Sequence, residues 1–163
     1  MLIYGKEIAN KIIAELKPKT KKRRLCLAIV QVGKNEVSAA YIRKKQEKAR
    51  ELGIKVELAR LSDSLSEEKL KKALSLIAAK KNITGIILQL PLPPGIAAQE
   101  VLDTLPVKKD VDVLSSQAFG RFVLNQKGAL LPPVVSAVAR LLQEAKVNLQ
   151  GSEVTVVGAG RLV

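Results

Sequence analysis

Apolar residues recur along this chain with two different periods. Ile8, Ile12, Ile13 and Leu16 follow helical spacing, which predicts an amphipathic helix from about Gly5 to Leu16, stopped near Pro18. Leu25 to Val32 is a short run rich in Val and Ile, as a strand covered on both faces would be. A polar helix follows and should end at Gly53, a residue suited to the positive φ of a helix C-terminus. Ile54 to Leu61 alternates as a second strand. Ser64-Leu65-Ser66-Glu67 reads as a capping box, with the Ser64 hydroxyl accepting from the Glu67 N–H, and Leu70, Leu74, Ile77 and Ala78 then mark one apolar helix face. Gly85 to Leu90 is the third strand.

Strands alternating with helices predict an α/β fold built on a parallel sheet with right-handed crossovers. In such a sheet, ligands bind beyond the carboxyl ends of the strands. Gly33 and Ser38 follow the first strand, and Gln89, Pro91 and Pro93 close the third. Residues distant in sequence are thus expected at one edge.

Tyr41 and Lys45 stand four residues apart on the helix after Gly33, so a phenol and an amine share one helical face. Alone, that pair is equally the mark of an ordinary surface helix. Gln89 lies in the apolar run Ile86-Ile87-Leu88-Gln89-Leu90, where its amide needs partners that Lys45 or a ligand would supply. Pro91 and Pro93 fix φ and remove two donors, which sends the chain out of the sheet as a stiff arm, or simply ends the strand. In Lys109-Asp110-Val111-Asp112, at most one of the two carboxylates is expected to face a pocket.

These stretches carry a resemblance. Val32-Gly33 with Ser38, Tyr41 and Lys45, then Gln89-Leu90-Pro91-Leu92-Pro93, then Lys109-Asp110-Val111-Asp112, resemble in order and spacing the signatures of the bifunctional methylenetetrahydrofolate dehydrogenase/cyclohydrolase family. The resemblance implies oxidation of 5,10-methylenetetrahydrofolate by hydride transfer to NADP or NAD, then addition of water to the methenyl cation to give 10-formyltetrahydrofolate. It implies Lys45 as the group that activates water or shuttles the proton, because desolvation and a nearby cation free a lysine's neutral amine. Tyr41 would stack on the aminobenzoyl part, Gln89 would hold the amine, Ser38 would support the loop, Leu90 and Pro91 would line the substrate, and Asp112 would accept from the pterin ring. Asp110 is the lesser choice of the two carboxylates. A homodimer is expected on the same basis.

The chain departs from the family pattern in places. Val113 stands where the family usually has glycine, and Leu131-Pro132-Pro133-Val134-Val135 replaces its Pro-Cys-Thr-Pro segment, which bears on cofactor placement and on whether both activities persist. Gly120-Arg121 matches the family's Gly-Arg pair. Val134, Val138, Leu141 and Leu142 predict a long helix over about Pro133 to Lys146, similar to the family's connecting helix. Val154 to Val157 then reads as a strand entering the glycine turn Gly158-Ala159-Gly160-Arg161, the opening of a Rossmann-type unit that would bind NADP. The expected organisation is a three-layer α/β catalytic domain over 1–132, a connecting helix over 133–150 and the beginning of a nucleotide domain over 151–163, the phosphate-binding helix being absent from the sequence. Such a chain reads as the N-terminal portion of a two-domain enzyme that binds folate without holding NADP stably. Ala159 stands where arginine is common in the family.

Composition alters this picture little. A net charge of +13 from 28 basic and 15 acidic residues raises the question of a nucleic-acid partner. The basic runs Lys17 to Arg24, expected as a loop, and Lys69 to Lys81, expected on the polar side of a helix, come with only 2% aromatic residues and no stacking platform or reading motif. A solvated basic surface that attracts polyanionic ligands is the better reading. A basic folate- or nucleic-acid-binding module without catalysis is the alternative. Short-chain dehydrogenases also use Tyr-x-x-x-Lys, but their glycine turn precedes the pair, the reverse of the order here. The single cysteine, Cys26, excludes an internal disulfide and is expected as a buried small hydrophobe. With no apolar run near about 18 residues and no signal peptide, a cytoplasmic location is expected.

Overall fold

The computed structural model describes residues 2–158. Three parallel strands, β1 (Cys26–Val32), β2 (Lys55–Leu61) and β3 (Gly85–Gln89), form one sheet in the order β2-β1-β3. β1 is central because it is the most apolar: every residue but Leu27 is buried. Its register sets Val32 beside Leu61, and Gln31 beside both Arg60 and Gln89, so the carboxyl ends of all three strands finish level. A further bridge joins Ile86 to Asp110 at the open edge of β3.

The period of two along each strand sends alternate residues to opposite faces. Cys26, Ala28, Val30 and Val32, with Ile86 and Leu88, pack against Leu70, Leu74 and Ala78 of α3 (Glu67–Ala79) and against Val101 and Leu102 of α4 (Ala98–Leu102). Ile29 and Ile87 are buried on the other face, the face of α2 (Glu36–Glu51), since Gln89 of the same parity bonds to Lys45 of that helix. Helices on both faces of a parallel sheet make three layers, as the alternation predicted. Cys26 is buried, and burial, helped by the nearby Glu57 carboxylate, pushes its thiol pKa up.

Helix ends depart from the sequence reading in several places. α1 spans Gly5–Lys21 and continues through Pro18, so Lys17 to Lys21 are helical and not in a loop. Pro18 removes one helical N–H, yet Thr20 holds the end in place by donating from Oγ1 to the Leu52 carbonyl at 2.6 Å. Ser66, not Ser64, precedes α3, and it makes no side-chain cap bond. Ser64 Oγ instead meets Ser62 Oγ at 2.7 Å, while the Glu67 carboxylate accepts from Ala97 N and pairs with Lys71. Gly53 ends α2 as predicted, with φ +70° and Ile54 N donating to the Ala49 carbonyl. Two short helices, α4 and α5 (Ser116–Val123), were not foreseen.

α6 (Pro133–Glu144) carries its proline in the first turn and ends two residues before the predicted limit, with Lys146 at φ +55°. It meets α1 through Arg140 to Glu15 and Lys11 to Glu144. Val154 to Val157 are exposed and form no strand, because no described segment pairs with them. No helix among the described residues is long and apolar enough to cross a membrane.

Candidate functional site

The site begins where β1 ends. Gly33 turns the chain at φ +70°, and its N–H donates to the Leu61 carbonyl at the end of β2. A Cβ there would lie 3.1 Å from the Asp63 Cβ, so glycine meets both the steric and the dihedral demand. Asn35 then starts α2: its Oδ1 accepts from Ser38 N at 2.8 Å, satisfying a first-turn N–H.

α2 is fastened to the end of β3 at one atom, the Leu90 carbonyl oxygen. Buried Ser38 donates to it from Oγ at 3.3 Å, and Gln89 donates to it from Nε2 at 2.9 Å. The peptide that follows, Leu90–Pro91, is cis. With its Nε2 committed to a carbonyl, Gln89 must turn Oε1 outward, and that oxygen accepts from Lys45 Nζ at 3.3 Å. Lys45 Nζ also lies 3.8 Å from Asp112 Oδ2, with the two side chains 33% and 24% exposed. An amine, a carboxamide and a carboxylate from three separate segments therefore converge at the carboxyl edge of the sheet.

Burial pushes the Asp112 carboxyl above its ordinary pKa; Lys45 pulls it back, and the neighbouring Asp110 adds to the rise. Among protein groups, the charged partner of Lys45 is this carboxylate. Asp110 itself is 1% exposed and turned away, accepting on Oδ2 from Leu114 N, Ser115 N and Ser115 Oγ. On an extended chain these two carboxylates, two residues apart, would share a side; the bends at Val111 and Asp112 are what separate them.

Tyr41 lies one turn before Lys45 on α2 and is 58% exposed. It lines an open depression of about 430 Å³ with Glu36, Val37, Ala40 and Lys44. A smaller hollow, about 230 Å³, is lined by Lys108, Asp110 and Arg121. Neither is lined by Lys45, Gln89 or Asp112; the convergence of polar groups, not cavity size, marks the site. Gly158 has φ +120° with open space around it, and Ala159, Gly160 and Arg161 lie outside the described residues. No group of His, Cys, Asp and Glu among the described residues forms a metal site.

The model of the tetrahydrofolate dehydrogenase/cyclohydrolase catalytic domain matches residues 3–112. The chain belongs to this family. It is 34% identical over 169 residues to the bifunctional protein FolD of Wolbachia pipientis from Culex pipiens, covering 100% of this chain and 57% of that protein. Among solved structures, a FolD methylenetetrahydrofolate dehydrogenase/cyclohydrolase from Campylobacter jejuni superposes with a TM-score of 0.91 at 30% identity, over 98% of this chain and 58% of that one. The Trypanosoma brucei FolD enzyme, solved with NADP and an inhibitor, gives 0.83 at 27% identity, over 90% and 52%. The chain thus spans little more than half the length of these family members.

Three contributors went unremarked in the sequence. Gln31 is 7% exposed and stands beside Gln89 in the register; a polar residue near the end of an apolar strand was its signal. Asn35 follows the common preference for Asn before a helix. Lys109 donates to the Ala78 and Lys80 carbonyls at the end of α3, a tertiary contact with no local signature.

Proposed function

We propose that this chain forms the folate-binding catalytic part of a methylenetetrahydrofolate dehydrogenase and methenyltetrahydrofolate cyclohydrolase. The overall reaction is oxidation of 5,10-methylenetetrahydrofolate to the methenyl form and hydrolysis of that form to 10-formyltetrahydrofolate. The observation that carries the proposal is the meeting of Lys45 Nζ with Gln89 Oε1 and Asp112 Oδ2 at the edge where a parallel sheet binds ligands.

The substrate supplies what the protein lacks. A methenyl cation seated beside Lys45 disfavours a charged amine, and a pterin N–H that engages Asp112 draws the carboxylate away from it. The freed amine takes one proton from water as the oxygen bonds to the methenyl carbon and returns it to the ring nitrogen as the carbon–nitrogen bond breaks, while the remaining hydroxyl proton passes to solvent as the formyl carbonyl forms. Gln89 keeps the amine on station throughout, because its own orientation is fixed by the Leu90 carbonyl. Ser38 secures the same carbonyl, Leu90 and Pro91 shape the wall, and Tyr41 offers its exposed ring to the aminobenzoyl group.

In this reading residues 1–132 are the catalytic domain, 133–150 the connecting helix and 151–163 the beginning of a nucleotide-binding domain. NADP, with NAD as the alternative, accepts the hydride in the oxidation. Among the described residues only Gly158 belongs to the glycine turn, and they form no cradle for a dinucleotide, so no step is assigned through it. The same reading makes the protein a cytoplasmic homodimer acting on a small folate and not on nucleic acid.

Calorimetric titration with tetrahydrofolate tests it. Asp112→Asn should weaken binding at least about tenfold, the loss expected of one charge-assisted hydrogen bond. Equal affinity in the variant, or no binding by wild type, would contradict the proposal.

A further inference from the structure

The charged segment Lys109 to Asp112 contributes more than one acceptor, and its second carboxylate has a different task. Asp110 is buried to 1% exposure in a loop, a costly place for a carboxylate without partners. Its Oδ2 accepts all three recorded hydrogen bonds, from Leu114 N at 3.1 Å, Ser115 N at 2.8 Å and Ser115 Oγ at 2.7 Å. These bonds close a loop of six residues at its base. Ser115 is also the N-cap of α5, accepting from Ala118 N, so the loop is locked to a helix.

The other side of the loop is fixed as firmly. Ile86 N donates to the Lys109 carbonyl at 2.7 Å, continuing the sheet edge, and Lys109 Nζ caps the carbonyls at the end of α3. Val111 presses into the space left by Gly85, where a Cβ would stand 2.7 Å from Val111 Cγ1. Between these anchors the chain passes through Asp112 and then Val113, held at φ +57°. A β-branched residue adopts that conformation only where its surroundings impose it.

We propose that Asp110 is a positioning residue: by closing the loop onto Leu114 and Ser115 it holds Asp112 against Lys45. It makes no hydrogen bond to the Lys45 amine, and its consequence for catalysis rests on the function proposed above.

The test follows the Asp112 carboxyl by carbon-detected NMR titration and needs no ligand. The charged groups facing it are Lys45 and Asp110. With the loop intact, Lys45→Met should raise the Asp112 midpoint, because a cation that favours the carboxylate has been lost. In Ser115→Ala, which keeps the Asp110 charge but removes the Oγ bond and the cap of α5, Lys45→Met should raise the midpoint by less. Asp110→Ala, which removes the acceptor of all three bonds, should abolish the rise; should it fail to fold, the Ser115→Ala comparison decides alone. A Lys45→Met effect of equal size in the native and opened loops would overturn the proposal. Tetrahydrofolate titration of wild type runs beside it: absence of binding there would defeat the folate reading while leaving the loop result standing.

Discussion

Val111 fills the space that a side chain at Gly85 would need: a methyl group at position 85 would come within 2.7 Å of Val111 Cγ1. The first residue of β3 and the residue before Asp112 are therefore coupled by packing, and the sheet edge sets where the acidic loop runs. Gly85→Ala should destabilise the protein by about 1–3 kcal/mol, the usual cost of overpacking a buried site. Val111→Ala in the same chain should recover most of that loss. Urea unfolding of the two single variants and the double variant checks both statements, and an additive double variant would refute the coupling.

Val113 gives an inverted order of side-chain size. It is 1% exposed, which rewards bulk, and it has φ +57°, which rewards glycine. Once the isopropyl group is gone, only the backbone preference remains. Val113→Gly should be more stable than Val113→Ala by about 1 kcal/mol, the left-handed penalty of an alanine. Chemical denaturation decides the order.

Two carboxylates should respond to pH with opposite signs. Asp112 holds its proton more tightly when folded, because burial raises its pKa. Its ionisation therefore opposes folding above the folded pKa, and that cost is absent below the unfolded value. Glu67 has a lowered pKa from its bond to Lys71 and from Ala97 N, so its contribution is present above the unfolded value and is lost as pH falls through the folded one. Asp112→Asn should thus unfold at higher denaturant than wild type at neutral pH, and Glu67→Gln at lower. Both differences should vanish in acid.

Much of this was legible in the sequence because it is written in short-range pattern. Apolar runs gave the three strands, and Gln89 stood out as a polar residue in an apolar strand. Spacing on a helix put Tyr41 and Lys45 one turn apart, and the family resemblance, not strand alternation, pointed to Asp112 over Asp110. What escaped depended on distant partners. Pro18 stays helical because the end of its helix is tied to Leu52, and Ser64 fails as a cap because Ser62 engages its hydroxyl. Val154 to Val157 have strand composition, but a strand needs a neighbour and none is described. The role of Asp110 was hidden for the same reason: a charge cluster in sequence gives no hint that one member is a buried acceptor closing a turn.

The central claim is that the Lys45 amine carries out proton transfer at a folate. Hydrolysis of 5,10-methenyltetrahydrofolate, followed by loss of its absorbance, isolates that step without a nucleotide. Lys45→Ala should lower turnover about 10²- to 10⁴-fold while the fold is retained, the range expected when a general acid–base group is removed. Turnover in Lys45→Ala equal to that of wild type would contradict the account.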